Sequence, residues 1–169
     1  MAMLAQRGTT VPLPPRASVR DLLGDLLGQP VRVDEGAAFE LSEVPSLLAA
    51  YRFDQGGAAA VAVASLPFAA GAGAAIGMVP VAEAREAARI ASAAELDEEL
   101  HEFFHEVVNV LAKLLNSPST PHVVLRELLP VPGEVPGDIA QVVLHPAGRV
   151  DYRVTVGDYG TGALTLVAR

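Results

Sequence analysis

From Ser92 to about Asn116 the chain carries its longest helical pattern, and that segment limits what the rest can be. At about 100° per residue, Leu96, Leu100, Phe103, Phe104, Val107, Leu111, Leu114 and Leu115 fall in one broad arc. Glu98, Glu102, His105, Glu106, Asn109 and Lys113 form the opposite stripe, with His101 near the boundary. Ser92 with Glu95 makes a capping box, and Glu95, Asp97, Glu98 and Glu99 suit the positive end of the helix dipole. Pro118 ends the run. A helix of about six turns with one apolar side must lie on a broad apolar surface and show its other side to solvent.

The composition can supply that surface. The chain has 169 residues, 51% hydrophobic and 19% charged, which suits one domain with a substantial core and argues against disorder. Its net charge is −8 and no cluster of Lys or Arg interrupts the acidity, so nucleic acid is not the expected partner. The charge instead favours solubility or a partner with a basic face. With no cysteine, disulfides and thiolate metal sites are excluded, which fits a cytoplasmic protein. The opening MAMLAQRGTTVPLPPR lacks the apolar run of a signal peptide and reads as a flexible tail over residues 1–16, ahead of one domain at 17–169. Gln55 to Ala82 is 28 residues without a charge. It is dominated by Ala and Gly and broken by Pro67 and Pro80, so no membrane span is expected there.

Elsewhere the punctuation is frequent. Ser18 caps an expected helix through about Leu27, stopped by Gly28 and Pro30. VRV at 31–33 begins a strand, and Leu47–Phe53 and Ala58–Ser65 read as strands joined by the turn DQGG. Ala72–Val79 is a further strand candidate, and a helix over 82–90 follows Pro80. LLPVPGEVPGD (128–138) reads as a Pro-rich loop. Ile139–His145, Tyr152–Val156 and Ala163–Val167 are read as late strands, the last two separated by DYGTG. The expected fold is α+β: a mostly antiparallel sheet with the long helix and one or two others.

Residues 101–109 of that helix, HEFFHEVVN, hold two overlapping motifs. HEFFH matches the zinc-hydrolase pattern HExxH, in which imidazoles at i and i+4 share a helix face and the Glu polarises bound water. That chemistry would use His101 and His105, and it needs a third ligand. Position 108 is Val and 111 is Leu, where the longer zinc motif has Gly and His, and no spacing singles out His122, Glu127 or His145. GAGAAIG (71–77) loosely matches a dinucleotide loop, but Pro80 breaks the helix such a loop requires. Its glycines are read as strand bends or close packing. In EVVN, Glu106 and Asn109 stand at i,i+3, so both emerge from one side of the helix. An amide can hold a water by one donor and one acceptor, while a carboxylate can pair with a partner's cation.

Glu106 and Asn109 are followed after twenty-two residues by Pro132, and Glu102 stands four residues before Glu106. In this spacing the chain resembles the CheC/CheX family of chemotaxis phosphatases, the single-site CheX type above all. The family pattern is Asp or Ser, three residues, Glu, two residues, Asn, twenty-two residues, Pro. The opening SVRDLLGDLLGQPVRV, the segment GAAIGMVP and the closing YRVTVGDYGTGALTLVAR are similar to the family in order, over roughly residues 17–169. The resemblance implies a phosphatase that hydrolyses the aspartyl-phosphate of a CheY-like response regulator. Asn109 would orient the attacking water and Glu106 would engage the regulator's lysine. The chain would need no cofactor of its own, since Mg2+ would belong to the regulator, and a homodimer would be in keeping with the family. Two departures stand out: Glu102 is longer than the family's Asp or Ser, and Lys113 replaces a frequent Gly four residues after the Asn. They leave open a non-enzymatic interaction module, and HExxH leaves open a zinc hydrolase.

Overall fold

A run that alternates Ala with Val can serve two cores at once when it lies in the middle of a sheet, and AAAVAVAS does so here. The computed structural model describes residues 10–38, 45–90 and 96–169. Its six strands are β1 (Val31–Glu35), β2 (Ser46–Phe53), β3 (Ala58–Ser65), β4 (Val123–Val131), β5 (Gly148–Val156) and β6 (Thr161–Ala168). They form one sheet in the order β1-β5-β6-β3-β2-β4, each neighbour antiparallel to the next. In β3, Ala60, Ala62 and Ala64 join one core and Val61 and Val63 the other. The helices are α1 (Arg16–Leu27), α2 (Leu66–Gly77), α3 (Val81–Ile90), α4 (Glu98–Leu115) and α5 (Gly137–Leu144). The α+β class and the antiparallel sheet are as expected. No helix among the described residues is long and apolar enough to cross a membrane.

The larger core lies between one face of the sheet and α1, α2 and α4. Leu23, Phe68, Phe104, Leu111 and Leu115 meet Leu47, Ala49, Tyr51 and Leu164 there. The rings of Phe68 and Phe104 cross edge to face, with centroids 5.9 Å apart. The smaller core, on the opposite face, gathers Leu48, Ala50, Val61, Val63, Val131 and Val167 against Ile139 and Val142 of α5. Residues just ahead of α1 also pack: Val11 is buried, and the Tyr152 hydroxyl donates to the Pro14 carbonyl at 3.1 Å.

Five expectations give way. Ala72–Val79 is not a strand; most of it belongs to α2, which follows β3 directly with Pro67 in its first turn. Residues Leu66 and Phe68 to Ala75 are all buried, so the helix has no polar stripe and leaves no helical period to read. Ile139–His145 is likewise helical, as α5. A short apolar run does not distinguish strand from buried helix, and here α5 starts at Gly137 after Pro136, with Asp138 of its first turn accepting from the Ile139 amide at 3.0 Å. The loop expected at 128–138 begins as the end of β4, where Pro130 pairs with Leu47. β4 is an edge strand, the place where a sheet tolerates a residue without an N–H. Finally, α1 starts at Arg16 after Pro15, without a side-chain cap from Ser18. The capping box at Ser92 and Glu95 lies outside the described residues. Five helices are described, more than the long one with one or two others that the sequence suggests.

Candidate functional site

The long helix is set with its stripe outward by three fastenings. At its start, Asp97 Oδ1 accepts from the amides of Glu99 and Leu100, at 3.0 and 3.3 Å, satisfying two of the orphan donors of the first turn. In its middle, the buried Tyr51 hydroxyl of β2 donates to the Val108 carbonyl at 2.5 Å. Burial pushes the Tyr51 phenol far above its ordinary value, so it stays a donor. At its end, the Asn116 amide donates to the Ala112 and Val123 carbonyls, each at 2.9 Å, and accepts from the Val123 amide at 2.8 Å. One side chain thereby joins α4 to β4.

Helix α2 lies tightly across α4. A Cβ at Gly73 would come within 2.8 Å of the Leu100 carbonyl oxygen, and one at Gly77 within 2.2 Å of the Phe103 ring. The glycines of GAGAAIG are therefore close-packing residues, as one of the two sequence readings holds; they are not strand bends.

Glu102, His105, Glu106, Asn109 and Lys113 are all exposed, and His101 is half-buried at the edge of the stripe. Buried Leu100, Phe104, Val107, Leu111 and Leu115 lie on the reverse, where the periodicity places them. Phe103 and Leu114 are only half-buried, on the flank of the arc. Among the described residues, neither Glu106 nor Asn109 has a side-chain hydrogen bond or ion pair, so a carboxylate and an amide one turn apart both face solvent unengaged. Such a pair can bind a water or accept a donor from a second molecule without first breaking an internal bond.

Pro132 is elsewhere. It follows β4 and lines an apolar groove with Leu48, Val131, Val135 and Leu144, on the α5 side of the sheet. The candidate zinc ligands are not gathered either. Glu127 is paired with Arg52 at 3.1 Å, His122 sits beside the β2–β3 turn with its carbonyl accepting from Asp54, and His145 follows α5. No group of three His, Asp or Glu side chains suited to a metal exists among the described residues, so His101 and His105 lack a third ligand.

Two features escape sequence reasoning. One is a charged clamp on the α5 face: Arg52 pairs with both Glu127 and Asp138. Hydrogen bonding to Arg52 holds the Asp138 carboxyl below its ordinary value. The other Glu127 oxygen, Oε2, is buried and has no partner. The second feature is Met78, which follows α2 at φ 56°, ψ 32°, in the left-handed region where glycine is usual. For a side chain with a Cβ this costs about 1–2 kcal/mol. The glycine beside it cannot relieve the strain, because Gly77 is held helical against Phe103. No local signal announces a methionine in that role.

No protein-family model matches the sequence, and no curated protein matches it. Solved structures do. The FliM middle domain from H. pylori superposes with a TM-score of 0.54 at 9% identity, covering 90% of this chain and 84% of that one. FliY from Thermotoga maritima gives 0.54 at 10% identity, covering 98% and 87%. The CheX–CheY–BeF3–Mg2+ complex from Borrelia burgdorferi gives 0.49 at 9% identity, covering 90% and 93%, too slight a likeness to build on. At such identities the likeness speaks for architecture alone: this chain has the fold of FliM middle domains and FliY.

Proposed function

We propose that this chain is a CheX-like phosphatase, hydrolysing the aspartyl-phosphate of a CheY-like response regulator. The observation that carries the reading is the outward, unengaged pairing of Glu106 and Asn109 on a helix whose start, middle and end are each fastened. Asn109 would hold the water by one donor and one acceptor bond, in line with the phosphorus–oxygen bond to be broken. The water oxygen bonds to phosphorus, the aspartate oxygen leaves, and free phosphate and an unmodified carboxylate result. Glu106 would pair with the regulator's lysine and so fix the approach. Positioning is most of what such a reaction asks of a protein, and a rigid helix suits it. Mg2+ would be the regulator's. Glu102, exposed one turn earlier, would border the contact, whereas Pro132 supports the reading only by its place in the sequence.

A second reading is favoured by Lys113, exposed on the same stripe. A cation one turn beyond Asn109 opposes the approach of a lysine to Glu106, which suits a domain that binds a partner without chemistry. One experiment separates the two. Loss of radiolabelled phosphate from a CheY-type regulator is followed with wild type and with Glu106→Ala/Asn109→Ala. The phosphatase reading expects acceleration by wild type and, in the double variant, a fall of about a hundredfold or more toward the regulator's own rate. Equal rates with both proteins would refute the site. Binding without acceleration would favour the interaction module.

A further inference from the structure

Met78 is the most exposed large hydrophobic residue among those described, with 87% of its surface open, and it is their only non-glycine residue at positive φ. An exposed apolar side chain alone is ordinary. One held on a strained backbone is not, because the fold gains nothing from the side chain while bearing the strain. The elbow between α2 and α3 that carries it is held on two sides. The Tyr159 hydroxyl donates to the Val79 carbonyl at 2.7 Å, and the Gly77 backbone lies against the Phe103 ring. On α4, Phe103 flanks Glu106, about 60° away around the helix and one turn along it. Ile76 and Val79 of the elbow and Phe103 of α4 are only half-buried, so apolar surface is partly open on both elements. A firm apolar knob therefore stands beside the Glu106 edge of the polar stripe.

We propose that Met78 is a docking residue for the regulator that meets Glu106 and Asn109, seating in an apolar depression next to the phosphorylated aspartate. This rests on the function proposed above. The flexible, polarisable thioether suits a surface not shaped by this chain. The polar pair would act on the phosphate while the knob sets the angle at which the regulator lies.

The test titrates beryllofluoride-activated CheY-type regulator against wild type, Met78→Gly, Met78→Ser and Met78→Leu, and records thermal midpoints alongside. Met78→Gly and Met78→Ser are expected to weaken binding about tenfold, the scale of one anchoring side chain. Met78→Leu is expected to keep wild-type affinity within about twofold, since it refills the depression. The midpoint of Met78→Gly should equal or exceed that of wild type, because glycine suits this φ. Weakened binding would then stem from the missing side chain and not from a damaged fold. Unchanged affinity in Met78→Gly and Met78→Ser overturns the proposal, as does a change in self-association with regulator binding intact. If wild type binds the regulator but does not speed phosphate loss, hydrolysis fails while docking is still decided by the titration. If wild type binds no regulator, both fail.

Discussion

On one side of the sheet, α1, α2 and α4 bury Phe68, Phe104, Leu111 and Tyr51 in a broad apolar core. On the other, α5 and Val135 just ahead of it pack against Leu48, Val61, Val63 and Val167, and Arg52 ties the helix down by ion pairs to Asp138 of α5 and Glu127 of β4. The first side relies on area and shape, and Tyr51, Phe68 and Phe104 are among its fully buried side chains. The second has less area to bury and supplements it with charge at the rim. The candidate site follows from the first side. The polar stripe of α4 is held in place from beneath, so the packing of Phe104 and its neighbours, together with the bonds made by Asp97, Tyr51 and Asn116, fixes Glu106 and Asn109. The second side should be able to loosen without disturbing them.

The strongest way to break this comparison is Phe104→Ala. Phe104 is fully buried, meets the Phe68 ring and lies under the middle of α4. Its truncation should lower the unfolding free energy by about 3–5 kcal/mol, a cavity-forming change in a core that cannot fully collapse. Urea denaturation would record a lower midpoint with an unchanged slope. A loss under about 1 kcal/mol would mean that the large core does not hold the helix as described.

A smaller effect should follow Arg52→Met, which keeps an apolar stem but leaves Asp138 and both oxygens of Glu127 without a cation. Opening of α5 should become easier by about 1–2 kcal/mol, the range for a partly exposed charged hydrogen bond. Hydrogen exchange would show it as faster exchange at amides in Gly137–Leu144 with those of α4 unchanged. Equal acceleration in α4 would show that the two faces unfold as one unit and that the contrast between them has no energetic content.

The same contrast decides what the sequence could disclose. Helix α4 was legible because one of its sides is buried and the other wet, so a period survives; Glu106, Asn109, Glu102 and His105 fall outward as the 100° rule places them. The hairpin β2–β3 was legible from DQGG, whose two glycines take positive φ. Helix α2 was not, because residues buried all round carry no period, and its glycines suggested bends when they serve contact with α4. Helix α5 was missed because eight residues with two buried ones resemble a short strand as closely as a helix. β4 was missed because proline weighs against a strand, and only the sheet order reveals an edge. The clamp of Arg52 on Glu127 and Asp138 joins residues 75 and 86 positions apart, a pairing that no local pattern announces. Pro132 shows the reverse case: a spacing that fits a family motif while the residue lies on the far face from α4.

The smallest effect is in pH, and its sign follows from the clamp. Arg52 lowers the folded-state value of Asp138 below that of an unfolded aspartate, so the unfolded chain takes up the proton first on acidification. The stabilisation is therefore complete above about pH 4, the ordinary aspartate value, and drains away as pH falls through the lower folded value. Opening of α5 measured down this range should grow easier in wild type. Asp138→Asn removes the titrating group, so its opening should start easier at neutral pH and change less on acidification. The two should converge near the bottom of the range. Salt at about 1 M should narrow the gap at neutral pH, since Asp138 is solvent-exposed and its Coulomb attraction to Arg52 is screened. If the two proteins instead run parallel down to about pH 3, Asp138 is not the titrating fastener of α5, and its exposed carboxylate contributes through its bond to the Ile139 amide, which an asparagine oxygen can also accept.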